Sequence, residues 1–257
     1  MVSISVVIIT FNEERNLARC LDSVKDIADE IVIVDSHSTD NTTEIARRYN
    51  AKVIEQAFMG YREQKNFANN QAAHDWILSL DADEVVTPML KKNILEVKKG
   101  PWHDVYQMPR LTNYCGHWIK HSGWYPDKKL RLFNRTMGEW KGGKIHEYWA
   151  LHDTKQKTGT LQENLLHYSY YSISDHIRVI DKFTEISAME AALNGKDSSL
   201  IKIWLGPKWN FFTSYIIRLG ILDGYYGYIV CKLSSYAAFI KYVKIRHYAE
   251  LKRKGQL

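Results

Sequence analysis

Within the first hundred residues, short apolar runs alternate with segments of helical periodicity. Ile4–Ile9, Ile31–Val34 and Trp76–Leu80 are near-continuous apolar runs, and Lys52–Ile54 is a shorter one. Such runs mark strands covered on both faces. Between them, Glu13–Ile27 places Leu17, Cys20, Leu21 and Val24 at helical spacing. A second helix carries Ile45, Ala46 and Tyr49, with Thr39 or Asp40 as its cap. Tyr61–His74 sets Phe67, Ala68, Gln71 and Ala72 on one side, and Thr87-Pro88 opens a helix through Lys98. Strand alternating with helix predicts an α/β chain with a mostly parallel, doubly wound sheet flanked by helices.

The third long run stops at three carboxylates, Asp81-Ala82-Asp83-Glu84. Open α/β sheets bind ligands at the carboxyl ends of their strands. Carboxylates crowded at such a tip repel one another unless a cation joins them. Hard divalent ions, Mg²⁺ or Mn²⁺, take oxygen ligands and commonly share them with substrate phosphates. The run is therefore read as a metal and phosphate site. The blander alternative is a polar loop after a core strand, with Glu84 serving a helix start.

The pattern changes after Gly100. Val105–Arg110, Lys129–Asn134, Ile145–Trp149 and Asn164–Tyr168 read as short strands among polar and aromatic stretches. Ser172 then caps a long helix, with Asp175 three residues on, which ends at Gly195. Beyond it, Trp204, Trp209, Phe211, Phe212, Tyr215 and Ile216 crowd around Pro207, and Asp223–Gly227 reads as a turn. A final helix puts Ile229, Leu233, Tyr236, Ile240 and Val243 on one stripe. Lys232 and Lys244 fall at its rims, with Lys241 and Arg246 further round.

Charge follows the same division. Residues 1–195 carry 24 basic and 26 acidic side chains, and residues 196–257 carry 11 and 3. The whole positive excess lies in the last quarter, which suits an anionic partner. Basic residues rimming an apolar stripe suit a helix lying on a membrane surface. The alternative is a helix packed on the rest of the chain, with its lysines in water. No stretch reaches the roughly 18 apolar residues that a spanning helix needs, and no signal peptide is expected, because the chain enters its first strand at Ser3. Three cysteines, Cys20, Cys115 and Cys231, lack metal spacing and point to buried thiols in a reducing compartment.

Four pieces occur in one order: Ser5–Glu14, with Thr10-Phe11-Asn12-Glu13 at its end; Ile31–Asp40; Gln64-Lys65-Asn66; and Trp76–Glu84. Together they closely resemble glycosyltransferase family 2, inverting enzymes of the GT-A fold, over residues 3–100. Later pieces, Lys129–Phe133, His146-Glu147, His167-Tyr168-Ser169 and Asp223-Gly224, resemble the lipopolysaccharide-core β-glucosyltransferases of the WaaE/KdtX type. The resemblance implies a GT-A domain over 1–195, with a nucleotide-sugar half (1–100) and an acceptor half (101–195). Residues 196–257 then form a basic, amphipathic, membrane-associating helical extension.

The resemblance also implies a nucleotide-diphosphate sugar donor, with UDP favoured. Thr10, Phe11, Asn12 and Glu13 would lie beside base and ribose. Asp35 would hold the base or ribose, although Ser36 stands where many members have a second acid. Lys65 would lie near the diphosphate or base, Asp81 would reach ribose and metal, and Asp83 would be the main metal ligand. Asp35 and Asp40 have a local alternative as an Asx turn and a helix cap, and Lys65 as a solvated charge.

Glycosyl transfer needs charge stabilisation on the leaving diphosphate and a base for the acceptor hydroxyl. Glu147, in the Trp140–Glu147 segment of the acceptor half, is the expected base; a strand-edge ion pair is its alternative. His146 reads equally as a metal or diphosphate contact and as a core histidine. Arg131 reads as a phosphate contact or an ordinary salt bridge. Trp118, Trp124 and Tyr125 read as sugar-stacking or core aromatics. The implied enzyme sits peripherally on the cytoplasmic face of the inner membrane and extends a lipopolysaccharide core or another lipid-linked glycan. Two other classes compete. A nucleotidyltransferase would want a glycine-rich basic loop where Phe11–Glu14 stands. A nucleic-acid binder would use the basic tail, yet no nucleic-acid motif is present.

Overall fold

The structure, a computed structural model, describes residues 1–143, 147–153 and 156–257. Its contacts divide the chain into two compact units. The first comprises residues 1–111 and 127–168, the second residues 112–126 and 169–257.

The strands and helices begin as the alternation predicts: β1 (Ile4–Thr10), α1 (Leu17–Val24), β2 (Glu30–Asp35), α2 (Thr42–Arg48), β3 (Lys52–Glu55), α3 (Tyr61–Asn70), β4 (Trp76–Asp81), β5 (Glu84–Val86) and α4 (Pro88–Lys99). There follow β6 (Val105–Tyr114), β7 (His117–Ile119), β8 (Asp127–Asn134), β9 (Gly138–Gly142), β10 (Glu147–Leu151), β11 (Gly159–Thr160) and β12 (Leu165–Tyr170). The chain ends with α5 (Ile173–Leu193), α6 (Leu200–Phe212) and α7 (Gly224–Arg253).

In the first unit, β3, β2, β1 and β4 lie side by side and parallel. Next to β4 the sheet turns antiparallel, through β8 and then β6. It is thus the expected helix-flanked sheet, but mixed rather than mostly parallel: among the described residues its parallel pairings are those of the four-strand block and of β11 on β6. The apolar runs are continuous because both faces are covered. Ile4, Val6 and Ile8 of β1 pack with Leu17 and Leu21 of α1 and with Leu90 and Ile94 of α4. Val7, one residue out of phase, packs on the other face with Ala68 of α3, Phe133, Trp140 and Trp149. The same sheet includes β12 and β5, which pair antiparallel, whereas β9 and β10 form a separate antiparallel pair.

Boundaries differ in informative ways. Thr87 caps α4 as expected, accepting from the Leu90 amide at 3.2 Å with Pro88 at the first helical position. For α2 the cap position is Asn41, one residue later than expected. Asp40 still serves the helix start, since its Oδ1 accepts from the Thr42 amide at 3.0 Å. The strand expected at Ile145–Trp149 is observed as β10 from Glu147, with Ile145 outside the described residues.

In the second unit β7 folds back antiparallel on the end of β6. Tyr114, Ile119 and Val230 form its core with Trp124, Tyr170 and Tyr226 around them. Ser172 caps α5 through the Asp175 amide, and α5 packs along α7. Residues 169–195 therefore go with the C-terminal helices. Two readings of the tail are corrected. Asp223–Gly227 is no free turn: α7 begins at Gly224, after a 3₁₀ turn over Gly220–Asp223. The face of α7 that is buried carries Gly227, Val230, Cys231, Ile245 and Ala249, and not the stripe from Ile229 to Val243. Lys244, expected at a solvent rim, reaches Asp181 and Glu185 of α5 at 2.8 and 2.9 Å. Cys20 and Cys231 are buried thiols, Cys115 is half-buried, and none forms a disulfide.

Candidate active site

The site lies at the carboxyl ends of β1, β2 and β4, because parallel strands deliver their last residues and following loops to one edge. Register sets Thr10 beside Asp35 and Ile9 beside Asp81. The Thr10 hydroxyl donates to Asp35 Oδ1 at 2.8 Å, and Asp35 also accepts from the amide and hydroxyl of Ser38 at 2.7 and 2.6 Å. Asp35 is fully buried, so in this structure its carboxylate fastens the loop after β2. Asn12, at φ 54°, continues the lacing. Its amide donates to the Ser38 hydroxyl and its Oδ1 accepts from the Thr39 amide, each at 2.8 Å. Phe11 is left exposed at the loop tip.

The β4 tip is a network of ion pairs. Lys65 of α3 is buried, and its Nζ stands 3.0 Å from Asp81 Oδ1 and 3.0 Å from Glu147 Oε1. One cation thus ties the strand-tip acid to the first residue of β10. On the other side, Arg131 of β8 bonds to Asp81 and lies 2.6 Å from Glu84 Oε1. Arg110 of β6 reaches Glu84 Oε1 at 3.2 Å and Asp127 at 2.7 Å. Burial opposes ionisation of Asp81, but Arg131, Lys65 and Arg110 together hold its carboxyl well below the usual range. The same acids raise Arg131 further, against its own burial. Arg131 is here a buried ion-pair partner, the ordinary one of its two readings.

Asp83 differs from Asp81. It pairs with His167 Nε2 of β12 at 3.2 Å, which lowers its carboxyl against the effect of burial. Glu13 carries the opposite strain. Burial pushes its carboxyl up to about 7; the hydrogen bond from Asn16 opposes the rise, and Asp83, Asp81 and Asp40 add to it. Tyr61, at the start of α3, is also raised by burial and by Glu147, Asp81 and Glu13.

Among the described residues, no three His, Cys, Asp or Glu side chains form a ready cage for a metal ion. The donor set fits a hard cation held by one or two carboxylates, with substrate phosphates and water completing its shell. Asp83 suits that part best. Glu13 registers the negative field that a cation would relieve, whereas Asp81 is engaged by Lys65 and Arg131.

Thr10, Asn12, Glu13, Asp35, Lys65, Asp81, Asp83, Arg131 and Glu147 all belong to the first unit. Trp118 and Trp124 belong to the second, where Trp124 packs edge-on to Tyr114 and His176. His146 lies outside the described residues. Sequence reasoning assigned no site role to Arg110 or His167, and it grouped Glu84 with Asp81 and Asp83 as a cation site, whereas Glu84 is fully buried against Arg131 and Arg110. For His167 there was a signal, its place in the His167-Tyr168-Ser169 piece. For Arg110 there was none, since only the antiparallel pairing of β6 with β8 sets it opposite Asp127.

The glycosyl transferase family 2 model matches residues 5–154. An uncharacterised glycosyltransferase of Rickettsia felis is 31% identical over 255 residues, covering 96% of this chain and 90% of its own length. The lipopolysaccharide core biosynthesis glycosyltransferase LpsC of Rhizobium meliloti is 28% identical, covering 94% and 91%. A crystal structure of S. aureus TarS in complex with UDP superposes with a TM-score of 0.49 at 17% identity, over 99% of this chain and 92% of that one.

Proposed function

The chain belongs to glycosyltransferase family 2, and from that premise we propose that it transfers a hexosyl group, with inversion, from a UDP-sugar to a saccharide acceptor. The acceptor is lipopolysaccharide core or another lipid-linked glycan at the cytoplasmic face of the inner membrane, a reading supported by the name of the R. meliloti relative. With the family established, nucleotidyl transfer and nucleic-acid binding are not carried forward.

The observation that carries the reading is the Lys65 bridge, 3.0 Å from Asp81 and 3.0 Å from Glu147. It holds the candidate base next to the strand tip where the donor is expected. The donor nucleotide lies against Thr10, Phe11, Asn12 and Glu13, with Asp35 bracing their loop from behind. Asp81 receives the ribose, and Lys65 stands ready for the diphosphate. Asp83, with Asp81 beside it, would hold Mg²⁺ or Mn²⁺. Such an ion supplies charge stabilisation on the departing diphosphate. Glu147 Oε1 faces Lys65, so the other oxygen takes the acceptor proton. The acceptor oxygen bonds to the anomeric carbon, the bond to the diphosphate breaks, and its electron pair leaves with UDP. Attack from the face opposite the leaving group inverts the centre. The enzyme sits peripherally on an anionic membrane surface. Among the described residues no helix is long and apolar enough to cross a membrane.

Glu147→Gln should leave UDP-sugar binding intact by calorimetry while lowering turnover by about a hundredfold or more. Turnover within a few-fold of wild type would remove Glu147 as the base. Asp83→Asn should abolish the Mn²⁺ dependence of donor binding; unchanged affinity with and without Mn²⁺ would remove it as a ligand.

A further inference from the structure

Helix α6 has no buried residue along its 13 positions, although its sequence is largely apolar. Leu200, Ile201, Trp204, Leu205, Trp209 and Phe212 are all exposed, Ile201 at 71% and Trp204 at 67%. They recur at i, i+1, i+4 and i+5, so they cover one half of the helix. The opposite half lies on α7. There the Ser235 hydroxyl donates to the Pro207 carbonyl at 2.7 Å, and a Cβ at Gly206 would stand 2.7 Å from the Tyr242 ring. The apolar exposure continues past α6 through Ile216, Ile217, Ile221 and Leu222. An exposed apolar surface of this extent marks an interaction site.

Charge identifies the occupant. Between Asp197 and Glu250 there are seven Lys or Arg and one acid, Asp223. That acid is engaged by the amides of Lys120 and His121, at 3.2 and 2.8 Å, and by the His121 ring at 2.8 Å. Cations lie along the apolar surface: Lys208 Nζ is 3.5 Å from the centre of the Trp204 ring, and Lys232 is 5.5 Å from that of Phe211. Arg218 lines a cavity of about 450 Å³ with Asn210, Thr213, Tyr242 and the exposed Trp209. Apolar side chains interleaved with tryptophans and snorkelling cations match an anionic bilayer interface. At about 1.5 Å per residue, α6 spans about 20 Å, too short for a bilayer core of about 30 Å, so it lies in the membrane plane.

We propose that α6 and the stretch after it, residues 200–222, are the membrane-embedded surface of this protein, with anionic lipid as the partner. This rests on the peripheral-membrane part of the reading above, and it moves the contact away from α7. Two of the four α7 cations expected at a lipid rim are turned inward, Lys244 to Asp181 and Arg246 to the Ser198 carbonyl at 3.2 Å.

The test is flotation of the full chain with phosphatidylcholine vesicles, with and without 30% phosphatidylglycerol, at about 0.1 M salt. Wild type should bind the anionic vesicles, and Ile201→Asp/Trp204→Asp should bind them at least tenfold more weakly. Phe239→Ser, on the exposed side of α7, should stay within twofold of wild type. Both α6 positions are exposed, so the melting temperature should not change. As a second readout on unaltered fold, brominated acyl chains should quench wild-type tryptophan emission, and Trp204→Phe should reduce that quenching. Wild-type-like binding by the double variant, absence of quenching, or a wild-type dimer that ignores vesicles and is dissolved by the double variant would each overturn the proposal. Transfer to a water-soluble acceptor fragment, measured in the same variants, should be unchanged. Loss of the transfer reading therefore shows separately from loss of the membrane surface.

Discussion

Glu13 and Arg131 show how the first unit balances its charges. The Glu13 carboxyl, about 7 in the fold against 4.5 as its ordinary value, is raised by burial and then by Asp83 and Asp81. A carboxyl raised on folding contributes fully below about pH 4.5 and loses that contribution as pH climbs through about 7, because the unfolded chain releases the proton more readily. Glu13→Gln should therefore gain stability relative to wild type between pH 5 and 8, as read from melting temperatures across that range. Arg131 is the reverse case. It is a buried cation whose removal leaves Glu84, itself fully buried, to Arg110 and the Asp81 amide. Arg131→Ala should cost about 3–5 kcal/mol in urea unfolding, the range for breaking a buried pair from one side.

Elements show where local pattern is enough and where it is not. Thr87-Pro88 capped α4 as written because a cap needs only its own helix. Gly224 and Gly227 suggested a turn because glycine is the common turn residue. Gly227 instead serves packing: a Cβ there would stand 2.0 Å from the Gly220 carbonyl oxygen. Gly227→Ala should separate the 3₁₀ turn from α7 and cost about 1–3 kcal/mol, seen as a lower denaturation midpoint. The final helix shows the same limit. Its sequence allows more than one apolar stripe, and packing on α5 buries the one through Val230, Ile245 and Ala249.

Across the whole molecule, acid stability should be governed partly by His176. It sits in the aromatic core of the second unit, with Nδ1 3.2 Å from the Tyr114 hydroxyl. Burial lowers its pKa from 6.5 to about 4. A histidine depressed in the fold stays neutral while the unfolded chain takes up a proton, so its contribution is present above about pH 6.5 and is lost as pH falls to about 4. His176→Gln should flatten the melting curve across that window; an unchanged slope would assign the acid sensitivity elsewhere. The basic excess of residues 196–257 also divides at this scale. Lys244, Lys252 and Arg253 are spent on α5 and the segment after it, while Lys202, Lys208 and Lys232 stay exposed along the apolar surface.

By itself the sequence determined the α/β order, the four parallel strands and the carboxylates at the tip of β4. Those features depend on runs and periods within a few residues, and a parallel sheet brings its strand ends together whatever lies beyond. The pairing of Arg110 and Arg131 with Glu84, the bridge from Lys65 to both Asp81 and Glu147, and the exposure of α6 were decided by tertiary structure. Each joins residues from separate elements, or depends on which of two apolar faces a neighbour covers. A charge or a leucine reads the same in sequence whether its partner is another side chain, water or lipid.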